Sequence, residues 1–286
     1  MQVVVQALNV YPIKSCAGVA LSESLITERG LKWDREWVVV TREGQPCTQR
    51  EWPRMVLIQP RLSDTHLHLA APGMAPFRIS LDVAISPKLP VQIWQDHTSG
   101  YDEGDAVAAW FSEFLGVSCR LLRVHPEAQR PLDANAVTRW AEQTGHDTQL
   151  LQRTQFAFAD GFPFLLCNQA SLTELNLAVQ RQGGKPVGMN RFRANIVISG
   201  LEAYEEDYLL ALNSSELGFA NLKNCARCPM PNVEPLTGLV GAQPGLALNS
   251  TRHLSEGVIF GVNLALYQQQ APSIKIGQEL TAELSI

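Results

Sequence analysis

Two of the chain's six cysteines stand in Asn224-Cys225-Ala226-Arg227-Cys228, with three prolines, Pro229, Pro231 and Pro235, directly behind them. A thiolate is a soft ligand, suited to zinc, copper, iron–sulfur clusters and other thiophilic metals. A neighbouring guanidinium lowers a thiol's pKa and can grip a phosphate through two parallel hydrogen bonds. The prolines remove backbone donors and fix φ, so this stretch is a stiff turn. A rigid loop carrying a thiolate beside a guanidinium suits a phosphate-bearing metal cofactor. Three other readings stay open on these residues alone. A zinc site needs about four ligands, and no second Cys-x-x-Cys or zinc-finger histidine pair is present. A thioredoxin-like dithiol would open a helix, whereas the residues that follow are broken by proline. The third is a pair of inert, buried thiols.

Other residues able to do chemistry are scattered. Lys14 and Ser15 stand where an opening β-rich run, Val3 to Ile13, gives way to a loop. Loops at strand exits often carry function. Arg35 and Arg50 flank what reads as a hairpin, with Trp37 to Val40 as one strand and Thr48-Gln49-Arg50 beginning the return; each is a surface arginine by default. His66 and His68 alternate with Leu67 and Leu69, so the histidines share one strand face and read as an exposed polar stripe. Glu205-Glu206-Asp207 reads as a solvated acidic turn.

The elements that position these residues are mostly short strands. Met55 to Gln59, His66 to Ala70, Val91 to Trp94 and Cys119 to Val124 continue the β pattern. Asp105 starts a helix with Val107, Trp110, Phe111, Phe114 and Leu115 on one face and Gly116 as its cap. Residues 125–154 are rich in Gln, Arg, Asp, Pro and Thr and weakly periodic, with helix expected around Ala136 to Gln143. A connection this long reads as a lid or linker. Beyond it, Ser171-Leu172-Thr173-Glu174 has the form of a capping box opening a helix that ends at Gly183-Gly184. Strands at Ile196 to Ser199, Leu209 to Leu212, Leu217 to Leu222, Val258 to Leu266 and Ile274 to Leu280 complete the chain. The pattern predicts an α+β, strand-rich fold of barrel-like β domains with helical insertions.

The 286 residues suffice for one or two domains. With 45% hydrophobic and 18% charged residues, the composition is that of a globular protein. A net charge of −5 argues against a nucleic-acid binder. No basic leader or apolar run of membrane-spanning length is present, so the expectation is a cytoplasmic protein with reduced thiols and no membrane partner.

Several of these stretches, taken in order, resemble one family. Tyr11-Pro12-Ile13-Lys14-Ser15, the Gly-Leu-x-x-Asp-Arg-x-Trp run over 30–37 and the Thr-Gln-Arg-x-x-Pro run over 48–53 are similar to the N-terminal β-barrel module that precedes MOSC domains. Asp160 to Ser171, Phe192-Arg193-Ala194-Asn195 and the loop from Cys225 to Gly238 resemble the MOSC domain itself. The order matches bacterial YcbX-type proteins and the mitochondrial amidoxime-reducing component. The resemblance implies an N-terminal module over 1–124, a connection or lid over 125–154 and a MOSC β-barrel domain over 155–286. It also implies a molybdenum–molybdopterin cofactor, with Cys228 as metal ligand and as the catalytic cysteine. Lys14, Ser15, Arg35, Arg193, Asn195, Arg227 and Asn263 would line the pterin or its phosphate. Local chemistry agrees on Cys228, which is flanked by Arg227 and Pro229, whereas Cys225 touches neither in sequence. The implied activity is reduction of small N-hydroxylated substrates: hydroxylamines, amidoximes and N-hydroxylated bases. No four-cysteine cluster motif follows the MOSC-like region, so electrons are expected from a separate flavin or iron–sulfur reductase. The rival is a non-enzymatic cofactor carrier or a sulfur-transfer module bearing a cysteine persulfide. Ala226, Ala194 and Pro229-Met230-Pro231 depart from the family's more common residues, which bears on substrate preference.

Overall fold

The first strand sets the architecture. In Gln2–Val10, Val3 and Val5 point inward; a bulge between Val5 and Ala7 then shifts the register, and Leu8 and Val10 continue the buried face. A bulge re-aims every residue beyond it, so the hydrophobic set stays inside although its parity changes. In a computed structural model that describes residues 1–82 and 87–285, this strand is one stave of a closed seven-stranded barrel. Around the wall run Phe164–Asn168, Ile196–Ser199, Gln2–Val10, Glu279–Leu284, Leu209–Asn213, Leu217–Ala226 and Gly257–Gln269, and the last pairs back onto the first. The chain's opening strand thus completes a barrel otherwise built from residues beyond 160. Neighbours are antiparallel except Phe164–Asn168 with Ile196–Ser199, and there the helix Gln169–Arg181 makes the crossover that a parallel pair requires. Inside, Phe164 meets Phe219 edge-on at 5.4 Å among Val3, Val5, Leu212 and Leu264.

Closure depends on one glycine. Gly261 interrupts Gly257–Gln269 at φ +77, and a Cβ there would stand 2.5 Å from the Leu166 carbonyl oxygen and 2.7 Å from Cys167 Sγ. Left-handed backbone costs an L-residue roughly 1–2 kcal/mol before any clash. Gly261→Ala is expected to lose about 2 kcal/mol or more, read as a lower urea midpoint; an unchanged midpoint would show that the strand has another way to close.

A second sheet holds Trp37–Thr41, Cys119–Val124, Asp96–Asp102 and Leu89–Ile93, backed by the helix Asp105–Leu115 with Gly116 as its left-handed cap. Trp37, Val39, Phe111, Phe114 and Leu121 form its core. Buried Cys16, Cys47 and Cys119 belong to the same cluster. The strand-rich α+β architecture is the one the sequence predicts.

Four local expectations are corrected. Thr48-Gln49-Arg50 is a turn rather than a returning strand; Trp37–Thr41 pairs instead with Cys119–Val124, and only the Cys47 amide bonds back to the Val39 carbonyl. Pro53, which sets φ for a first helical position, starts a short 3₁₀ turn at Pro53–Leu57 where a strand is expected. The capping box is not used. Asn168 caps the helix by accepting from the Ala170 amide, and Ser171, three residues inside, donates its hydroxyl to Glu206 at 2.7 Å. Finally, Glu205-Glu206-Asp207 is not a solvated turn. Glu206 is fully buried on Ser171 and Asn168, and Asp207 pairs with Arg252. The segment 125–154 carries two helices, Ala134–Thr144 and Gln149–Arg153.

Candidate functional site

The strand Gln2–Val10 leads into Tyr11-Pro12-Ile13-Lys14-Ser15, which the Lys14 amide ties to the second sheet through the Trp37 carbonyl. This crossing between barrel and sheet is one wall of a cleft of about 480 Å³. Lys14, Ser15, Arg35, Arg193, Asn195, Arg227, Cys228 and Asn263 all line it, so every site residue named from the sequence reaches a single cleft. The volume lies within the range of ordinary ligand pockets.

The backbone is strained where it meets the cleft. Of six non-glycine residues with positive φ, four line it: Ser15 (φ 68), Arg35 (φ 48), Trp94 (φ 57) and Arg193 (φ 59). Such conformations persist only where surrounding structure enforces them, and they gather at functional sites. The strain aims side chains. The rings of Arg35 and Arg193 both lie over Tyr11, at 4.5 and 4.2 Å from its centroid. Burial pushes the Tyr11 phenol up to about 12 despite these two cations.

Six cationic side chains line the cleft (Lys14, Arg35, Arg50, Arg193, Lys223 and Arg227) against one carboxylate, Asp160. Their commitments differ. Lys14 Nζ bonds the Asp160 carboxylate at 2.6 Å and the Phe158 carbonyl at 3.0 Å. Burial lowers the Lys14 pKa, which Asp160 partly offsets. Burial also raises Asp160, but the Lys14 ammonium overrides it and holds the carboxyl well below the usual carboxylate range. Arg35 is bound to Asp34, to Asn195 Oδ1 and to the Arg193 carbonyl. Arg193 has no carboxylate partner among the described residues; it donates to the Cys16 carbonyl at 2.6 Å. Burial, then the neighbouring Arg35 charge, pushes its pKa down to about 10.

Two assignments take a different form from the one the sequence suggests. Asn195 is buried and spends its amide inside the protein: Oδ1 accepts from Arg35 and the Leu165 amide, and Nδ2 donates to the Asn9 carbonyl. Its role is to hold Arg35. The second concerns the cysteines. Arg227 follows directly on the strand Leu217–Ala226, and its amide continues the ladder to the Val258 carbonyl. In extended chain, residues two apart share a face. Arg227 Nη1 therefore reaches back to Cys225 Sγ at 3.1 Å, while Nη2 binds the Phe192 carbonyl at 2.8 Å. The guanidinium expected beside Cys228 belongs to Cys225. Cys228 Sγ has no hydrogen-bond partner among the described residues, which leaves its lone pairs open to a metal.

Sequence reading missed Arg50, Trp94, Thr48 and Lys223. Arg50 stacks on Trp94 at 4.3 Å, and Trp94 donates to Asp160 at 3.0 Å, so these residues frame the mouth. Arg50 and Thr48 lie inside a motif already singled out. Trp94 and Lys223 carry no signal without the fold.

The residues fit a phosphate-bearing group with a soft metal. Arg227 Nε is buried with no partner, and neither the Ser15 hydroxyl nor the Asn263 amide makes a hydrogen bond within the protein among the described residues. These unspent donors, the cation excess and an unpartnered thiol form one donor set.

Comparison with known proteins agrees in outline. A family model described as MOSC N-terminal beta barrel domain matches residues 2–118, and one described as MOSC domain matches residues 153–281. Mitochondrial amidoxime reducing component 2 of Rattus norvegicus is 35% identical over 81% of this chain and 67% of that protein. Mitochondrial amidoxime-reducing component 1 of Homo sapiens is 31% identical over 90% of this chain and 75% of that protein. Molybdenum cofactor sulfurase of Homo sapiens is 32% identical over 82% of this chain but only 27% of that protein.

Proposed function

The chain belongs to the MOSC-domain family, and from that premise we propose that it binds a molybdenum cofactor in the cleft and reduces N-hydroxylated compounds with electrons from a separate redox protein. The observation that carries this reading is the convergence of excess cations, unspent donors and the Cys228 thiol on one cleft. The amidoxime-reducing components are matched over about twice the share of their length that the sulfurases are, which favours reduction over sulfur transfer.

When bound, a pterin-held molybdenum would supply a soft two-electron centre able to accept oxygen from a substrate nitrogen. The overall change breaks the N–O bond, takes up two electrons and two protons, and releases the amine or amidine and water. The chain's own residues hold and orient. Arg193, Ser15, Asn263 and Arg227 Nε supply donors to the pterin and its phosphate. Cys228 supplies the protein thiolate. Asn195 fixes Arg35, and Arg35 with Tyr11 steadies Arg193. Asp160 stays ionised and anchors Lys14 Nζ, so it is not a source of the reaction's protons.

Protein prepared in a host that makes the cofactor should carry about one molybdenum per chain; metal-free protein with sulfane sulfur on a cysteine would favour the transfer module instead. The electron supply is a separate prediction. Of the six cysteines, Cys16, Cys47, Cys119 and Cys167 are buried and the other two lie in the cleft, and among the described residues no three His, Cys, Asp or Glu side chains gather to hold a metal. Loaded protein with NADPH alone should not turn over an amidoxime, and adding a flavin or iron–sulfur reductase should start turnover. Efficient NADPH-driven reduction by the isolated chain would overturn this.

A further inference from the structure

A groove of about 590 Å³ lies beside the cleft, and the two share Gly161, Phe162, Lys223 and Asn224. The strand Leu217–Ala226 runs through both: Leu222 lines the groove, Lys223 and Asn224 line both, and Cys225 and Ala226 line the cleft. We propose that this groove seats the body of the substrate, an N-hydroxylated amidine carrying an extended aromatic group, with its N–O head passing Phe162 toward Cys228. The proposal rests on reading the cleft as a reductase site.

The opposite wall is the helix Ala134–Thr144, which presents Ala136, Arg139, Trp140 and Gln143. That wall is set before any ligand arrives. The Trp140 indole donates to the Leu210 carbonyl at 2.7 Å, and its ring packs on Tyr267 and His146 at 4.9 and 5.6 Å. Phe156, Phe162, Leu222 and Trp140 give the groove its apolar contact, the usual lining for an aromatic ligand. Charge separates groove from cleft. Asp96, Asp133, Asp207 and Glu256 line the groove against Arg139 and Lys223, whereas the cleft has six cations to one carboxylate. An amidinium product is therefore repelled by the cleft and received by the groove. Two carboxylates are placed for its N–H donors. Glu256 accepts from Asn224 at the junction, and Asp207 keeps one buried oxygen without a partner.

Gln143→Trp tests the assignment. Gln143 is exposed on the helix, so a large ring there fills the groove without entering the core. Cofactor-loaded chain is titrated calorimetrically with a biphenyl amidine, and reduction of hydroxylamine and of the matching biphenyl amidoxime is measured with an added electron donor. The variant should bind the amidine at least about ten-fold more weakly and raise the amidoxime KM in proportion, with hydroxylamine turnover unchanged, since only binding of the body is lost. No amidine binding by the wild type, or equal affinity in both proteins, overturns the groove. Amidine binding that the variant loses, in a wild type that reduces neither compound, leaves the groove standing and overturns the reductase reading.

Discussion

Cys228→Ser should keep its pterin yet reduce N-hydroxylated compounds at below about a hundredth of the wild-type rate, since even outer-shell changes at metal sites cost ten- to a hundred-fold. Cys225→Ser should stay within a few-fold. The reason is geometric and differs from the one the sequence suggests. Adjacency places Arg227 next to Cys228, but the extended backbone turns its guanidinium onto Cys225 Sγ at 3.1 Å. A serine at 225 can still accept that hydrogen bond, so Arg227 stays oriented toward the cleft. A serine at 228 replaces a soft, unpartnered sulfur with a hard and weakly acidic hydroxyl, a poor ligand for molybdenum. Rate, pterin content after gel filtration and sulfur-to-metal absorption are the measurements. A zinc site or a dithiol mechanism makes a different forecast, because each needs both thiols. Two equally inactive variants that both retain pterin would sink the single-thiolate reading.

The same pair shows what the sequence could and could not yield. The chemistry of the 225–228 loop is local, and a period-two count alone would have assigned Arg227 to Cys225. The eight named residues share one cleft because the opening strand crosses from barrel to second sheet; that crossing is a long-range fact which only the family resemblance implied. Glu206 failed for a different reason. Three acidic residues in a row look solvated, yet Ser171 and Asn168 come from more than thirty residues away to bury the middle one. The helix expected around Ala136 to Gln143 is present as Ala134–Thr144, but its place as a groove wall depends on Trp140 finding the Leu210 carbonyl, which no local pattern encodes. The expected strand at Met55 fell to a single proline, a signal that was present at Pro53 and outweighed by apolar content.

Arg193→Ala should lose its cofactor on dilution about ten- to a hundred-fold more readily while the unloaded chain stays nearly as stable, since one charge-assisted hydrogen bond is worth about 1.5–3 kcal/mol and each 1.4 kcal/mol is roughly ten-fold. The two halves of this forecast have separate causes. In the unloaded cleft Arg193 is poorly placed: burial and the adjacent Arg35 charge push its pKa down to about 10, which means that folding disfavours its charged form. Removing it relieves that repulsion and gives up one bond to the Cys16 carbonyl, a loss of about 1 kcal/mol, so the two effects nearly offset. The left-handed φ of 59 strains alanine as it strains arginine, so the backbone contributes no difference. A phosphate reverses the balance, because the same charge then has a partner. Arg193→Lys should fall between the two, keeping the charge but losing the planar fork. Metal and pterin content after gel filtration measure retention, and urea unfolding of unloaded protein measures stability. Equal retention in wild type and Arg193→Ala would remove Arg193 from the anchor set. A large loss of stability without the cofactor would make it a structural tie between the barrel and the loop that carries Cys16.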